Sequence, residues 1–252
     1  GAIQRPSEVL YDRADSAFAQ AGGGRHDWPA LLAGADWLHV SGVTPALGQA
    51  AADGTLEAMR AARAAGVRVS FDGNFRLKLW QAWNGDAPKI LHDILAQADL
   101  VFADHRDMSV VLGIEFAEQS PELQVQAAAR EAFAAFPNLL LLASTIRTQH
   151  SVDHHALGAV MVSRAGGVTT ARAMDLPNIV DRIGGGDAFA AGLLHAMADD
   201  PASALRFGSR SSISSAGIRS DSGCPSTVQR EGTGTIVSPW PPSVRVWTLA
   251  IG

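Results

Sequence analysis

Gly184-Gly185-Gly186-Asp187 is the stretch of this chain best suited to chemistry. Glycines let a backbone turn tightly and approach a ligand with no Cβ in between. The residues that follow, Ala188 to Leu194, read as a well-marked helix start. The run therefore sits where unpaired helix amides point outward at the positive end of the dipole. Such a turn would hold a transferring phosphoryl group, and Asp187 would take the proton of an attacking hydroxyl. Taken alone, the four residues equally describe an aspartate N-cap behind a flexible loop. Phe189 stands where G-x-G-x-x-G needs its third glycine, and no Lys-Ser/Thr follows the run, so dinucleotide and P-loop readings fit poorly.

Other polar clusters follow apolar runs: Ser41-Gly42, Asp72 to Arg76, Asp104 to Asp107, and Ser144-Thr145. Asp104 and Asp107 would serve a hydrated Mg²⁺, although a solvated loop ahead of a helix accounts for them as well. An arginine fork can bind carboxylate in a bidentate manner, but the residues alone do not mark Arg13 or Arg76 for that over a structural role. The plain alternatives are a solvated charge at Arg13 and an Arg76–Asp72 ion pair. His150, His154 and His155 flank Ser151-Val152-Asp153 in a segment that reads as hairpin or loop. No acidic partner is fixed near them by pattern, so the expectation there is an exposed turn, with no residue assigned as a direct metal ligand.

The whole string Asp181-Arg182-Ile183-Gly184-Gly185-Gly186-Asp187-Ala188-Phe189-Ala190-Ala191-Gly192 resembles the signature D-x-x-G-A-G-D-x-F-x-x-G of the PfkB, or ribokinase, family of carbohydrate kinases, with Gly185 in place of the usual alanine. Three further stretches resemble its 2-keto-3-deoxygluconate kinase subfamily: Tyr11 to Ala17 (Y-x-R-x-x-S-A), Ser41 to Leu47 (S/T-G-I-T-x-A-L), and Asp72 to Trp80 (D-x-N-x-R-x-K-L-W). The resemblance implies Asp187 as catalytic base and Gly184, Gly185 and Gly186 as the anion hole. It implies Tyr11, Arg13 and Arg76 as contacts to an acid sugar, and Asn74, Asp104, Asp107 and Ser144 on the nucleotide and Mg²⁺ side. Asp104-His105-Arg106-Asp107 departs from the family's N-x-x-E, and Ala143-Ser144-Thr145 from a strand end that often reads K-x-G. The implied activity is ATP-dependent, Mg²⁺-assisted phosphorylation of 2-keto-3-deoxygluconate to its 6-phosphate. A neutral-sugar kinase acting on fructose or ribose, and an inactive truncated or frame-shifted remnant, are the alternatives.

These residues need elements to position them. Apolar runs at Trp37–Ser41, Val67–Asp72, Asp99–Phe102 and Leu139–Ala143 alternate with helical patterns at about 46–65, 87–97 and 121–136. Strands separated by helices of that size predict βαβ units and a mostly parallel sheet. Ligands then collect at the carboxyl ends of the strands. Ala156 to Ala173 alternates in shorter runs and predicts an antiparallel pair. The fold class is α/β and ribokinase-like: a mostly parallel central sheet flanked by helices, with the remnant of a small β lid near 8–13. The expected kinase domain covers 1–208. Residues 209–252 turn serine- and proline-rich and are expected to be a loop-rich or disordered tail, such as a frame shift near Gly208 would produce.

The bulk numbers exclude several classes. The chain has 252 residues, 47% of them hydrophobic, enough for a sizeable core. Its formal net charge of -5, with no long basic run, argues against a nucleic-acid partner. No apolar stretch approaches the length of a membrane span. The single cysteine, Cys224, allows no intrachain disulfide and fits a cytoplasmic setting. The sequence reads as beginning in mid-protein, without the paired-glycine sugar motif of the family. A half lid would leave unpaired strand edges through which a homo-oligomer would form.

Overall fold

The computed structural model describes residues 26–177, 179, 183–199, 203–215 and 246–249. Helix α1 (Trp28–Leu32) leads into strand β1 (Trp37–Ser41), a 3-10 turn at Pro45–Leu47 and helix α2 (Gln49–Ala64). Next come β2 (Arg68–Asp72), α3 (Leu77–Ala82), α4 (Ala87–Leu95), β3 (Leu100–Phe102), α5 (His105–Leu112) and α6 (Pro121–Ala135). A run of three strands follows: β4 (Leu141–Gln149), β5 (His155–Ser163) and β6 (Val168–Leu176). Helices α7 (Gly185–Asp199) and α8 (Ala204–Ser215) and strand β7 (Val246–Leu249) complete the described elements.

Local chemistry explains the boundaries. Asp27, Asp86 and Ser120 cap α1, α4 and α6 by accepting a backbone N–H, each with a proline in the first turn. Asp104 opens α5 in a reciprocal capping box with Asp107, and Gly113 closes it in the left-handed region.

The strands form one seven-stranded sheet in the order β6-β5-β4-β3-β2-β1-β7. The β7-β1-β2-β3-β4 pairings are parallel, and β4-β5-β6 are antiparallel. Residue alternation divides the core between the two faces. Leu38, Val40, Val69, Phe71, Val101 and Leu142 belong to the apolar cluster with Met59, Ile94, Met108 and Ala128 of α2 and α4 to α6. Leu100, Phe102, Ala143, Ala159 and Ala171 instead belong to the cluster with Phe189, Leu193 and Leu194 of α7 and Leu205 of α8.

The strands expected between residues 37 and 173 and the helices expected at about 46–65, 87–97 and 121–136 are present, and three differences bear on the site. Helix α3 forms within the stretch that carries Arg76, where no helix is expected from the sequence. Strand β4 continues past Ala143 to Gln149 because it pairs residue for residue with β5. The change of texture near Gly208 is not an element boundary: α8 runs on to Ser215, with Gly208, Ser209 and Ser212 buried, and β7 adds to the sheet edge. Small residues at those positions suit a close helix pairing, since a Cβ on Gly208 would lie 2.9 Å from the Phe189 carbonyl oxygen of α7.

Candidate functional site

Strands β1, β2 and β3 each hand the chain to a polar loop, and backbone hydrogen bonds stitch these loops to one another and to β4. The Gly42 amide donates to the Asp72 carbonyl (2.7 Å), Gly73 to Phe102 (2.8 Å) and Ala103 to Ala143 (3.1 Å). The approach is so close that a Cβ on Gly42 would lie 1.9 Å from the Gly73 carbonyl oxygen. Asn74 then turns the chain at φ +37°, a left-handed conformation that asparagine tolerates better than most residues. Its Nδ2 donates to Ser41 Oγ at 3.3 Å.

The loops after β2 and β3 border a cleft of about 810 Å³ at the carboxyl ends of their strands. Asp72, Asn74, Arg76, Asp104, Asp107 and Ser144 line it, and so do Gly185 and Gly186 at the start of α7. Six residues read from separate stretches of sequence thus meet the glycine run in one cavity. Gly184 has φ +78°, and its carbonyl accepts the Ala188 amide at 2.8 Å, which starts the helix. Asp187 is exposed at that helix start rather than in the wall of the cleft. Its charge still reaches Asp72.

Electrostatics distinguish the carboxylates. Asp72 is pushed up to about 7, chiefly by burial and then by the charges of Asp107 and Asp187. Arg76 and a backbone hydrogen bond from Asn74 act the other way. Asp107 is pushed up to about 6, again chiefly by burial, against a backbone hydrogen bond from Asp104. Burial also pushes Asp104 upward, but the hydrogen bond and charge of Arg106 outweigh it and hold that carboxyl below its ordinary range. Asp104 is heavily used already: its Oδ1 accepts the amides of Arg106 (2.7 Å) and Asp107 (3.3 Å), and its Oδ2 accepts the Arg106 guanidinium. Asp107 Oδ2 accepts the Asp104 amide at 3.0 Å. An oxygen-only donor set of this kind suits a hard, hydrated cation such as Mg²⁺, with Asp107 and Asp72 less committed than Asp104.

Arg76 is exposed, and its guanidinium donates to the Phe75 carbonyl at 3.0 Å. Ser144 is buried, and its Oγ makes a long contact to the Thr145 carbonyl, 3.4 Å. Tyr11 and Arg13, like Asp181 and Arg182 of the signature, lie outside the described residues, as does the lid near 8–13. Sequence reading missed Arg106 and Arg147 as cations of the cleft wall. Arg106 stands inside a stretch already singled out, whereas Arg147 lies on the part of β4 beyond the expected strand end. His155 corrects another expectation. It is 1% exposed, because it is the first residue of β5 and pairs with both Gln149 and Leu176.

The family described as pfkB family carbohydrate kinase matches residues 7–225. The 2-dehydro-3-deoxygalactonokinase of Haloferax volcanii is 31% identical over 212 residues, 82% of this chain and 59% of that protein. The crystal structure of 2-dehydro-3-deoxygluconokinase from Thermotoga maritima superposes with a TM-score of 0.76 at 32% identity, covering 88% of this chain and 66% of that one. A PfkB family carbohydrate kinase from Listeria grayi gives 0.74 at 29% identity, over 85% and 64%. The chain thus spans about 59% to 66% of the length of these relatives. With its family match extending across nearly the whole described sheet, this chain belongs to the pfkB family of carbohydrate kinases.

Proposed function

We propose that this chain transfers the γ-phosphoryl group of ATP to the terminal hydroxyl of 2-keto-3-deoxygluconate, giving the 6-phosphate and ADP. The observation that carries the reading is the cleft in which the glycine-led start of α7 meets Asp72, Asn74, Arg76 and Asp107. Relatives named as 2-keto-3-deoxy-sugar kinases support the substrate class. In this reading Asp187 takes the hydroxyl proton as the oxygen attacks the γ-phosphorus, and the bond to the β-phosphate oxygen breaks. The amides of Gly184, Gly185 and Gly186 face the charge on the transferring group, fixed in place before the reaction starts. Arg76, with Tyr11 and Arg13, holds the sugar carboxylate, a group that fructose and ribose lack. Ser144 borders the nucleotide. Mg²⁺ entering with ATP would neutralise phosphate charge, and Asp107 and Asp72, with Asn74, would hold its water shell.

ADP release by the purified chain, measured with 2-keto-3-deoxygluconate, fructose and ribose, tests the reading. Turnover should be confined to the acid sugar. Asp187→Asn should lower kcat by about 10²- to 10⁴-fold while the KM for ATP stays within about threefold. Near-normal turnover in that variant removes Asp187 from its role, and a preference for a neutral sugar overturns the substrate.

A further inference from the structure

The turn between β4 and β5 carries chemistry that the kinase reading does not use. His150, His154 and Asp175 each offer a ligand atom, and these atoms all lie within 4.8 Å of one another. The backbone creates the arrangement. The amides of His150 and Ser151 both donate to the His154 carbonyl, at 2.9 and 3.0 Å, which closes a tight turn and brings the two imidazoles to 4.8 Å between ring centroids. Asp175 arrives from the other side: on β6 it pairs with Ala156 of β5, and its Oδ1 lies 2.6 Å from His154 Nε2. Sequence spacing shows the two histidines, but only strand pairing supplies the acid.

We propose that this cluster binds one divalent late transition metal, Zn²⁺ being the reference ion. Imidazole nitrogens suit Zn²⁺, Ni²⁺ and Cu²⁺, whereas Mg²⁺ and Ca²⁺ favour all-oxygen shells, so the site is chemically separate from the phosphate-side aspartates. Ligands at about 2.0 Å in a tetrahedron stand about 3.3 Å apart. His150 and Asp175 are exposed and His154 is half-buried, so side-chain rotation can reach that spacing without moving the strands. Two histidines and one carboxylate leave a fourth position for water. The ion would staple the β4–β5 turn to the end of β6. The same turn accepts the Ile179 amide on its Asp153 carbonyl at 2.8 Å, at the start of the chain that leads into the glycine run.

The test is calorimetric titration of the tag-free, chelator-stripped chain with ZnCl₂, repeated in excess Mg²⁺, with Co²⁺ absorption reporting coordination geometry. The expected result is one Zn²⁺ per chain with a Kd below about 100 µM, insensitive to Mg²⁺. His154→Ala and Asp175→Asn should each weaken binding at least about tenfold, the lower end of what loss of even an outer-shell partner costs. His92→Ala, on α4, should leave binding unchanged. Circular dichroism of each variant should match the parent, because none of the substituted side chains is in the core. A weaker Kd in the parent, or binding undiminished in both ligand variants, would show an ordinary histidine–carboxylate pair and overturn the proposal.

Discussion

Asp72 carries the most unusual charge state in the site. Its carboxyl titrates near 7 instead of 3.8, so the folded chain holds a proton there that the unfolded chain releases near pH 4. Between about pH 4 and 7 the native state binds more protons than the unfolded one, and this group's contribution to stability falls as pH rises. His39 opposes it. Burial lowers its imidazole from 6.5 to about 4, so the unfolded state binds the extra proton and stability rises with pH across that window. Above pH 7 the unfavourable charge at Asp72 is fully present. Asp72→Asn should therefore stabilise the chain at pH 8, by on the order of 2 kcal/mol after allowance for screening, and by little at pH 4. Urea unfolding of parent and variant at the two pH values measures the difference, with His39 cancelling in the comparison. In the proposed function the same residue would serve a cation in the cleft, which would account for keeping a destabilising charge.

At the scale of elements, the site depends on how the loops after β1, β2 and β3 are stitched together. Gly42 is the tightest point of that seam. Gly42→Ala would drive a methyl group to 1.9 Å from the Gly73 carbonyl oxygen, so one of the two loops must move. A loss of about 3 kcal/mol in urea unfolding is expected, at the upper end of overpacking costs, together with a raised KM for ATP. The neighbouring seam constrains Asp107, whose carboxyl carbon would lie 3.0 Å from a Cβ on Gly73. Much of the arrangement is legible in sequence, since Ser41-Gly42, Asp72 to Arg76 and Asp104 to Asp107 each follow an apolar run. Their mutual contact is not, because it is set by backbone pairing between segments some thirty residues apart.

The whole molecule is a sheet with two unequal covers. One face has α2 and α4 to α6, which connect consecutive parallel strands. The other has α7 and α8, whose packing against β3 to β6 sets the direction in which the glycine-led helix start points. Leu193 is fully buried in that second cover. Leu193→Ala should cost about 3 kcal/mol by transfer and cavity terms together. Hydrogen exchange should show protection lost first in α7 and α8 while β1 to β3 stay protected, since those strands are sealed from the other side. Among the described residues no helix is long and apolar enough to cross a membrane.

By itself the sequence determined the alternation of strands and helices, the polar clusters that follow β1, β2 and β3, and the glycine-plus-aspartate start of α7. All of these follow from neighbours within one turn or one strand, where periodicity and hydrogen-bond inventory act directly. Tertiary structure alone decided which charges face one another. Burial and the approach of Asp107 and Asp187 raise Asp72, the extension of β4 brings Arg147 to the cleft, and β6 delivers Asp175 to the histidines of the β4–β5 turn. Proton affinity and metal ligation depend on distances and desolvation across the fold, which no local pattern encodes.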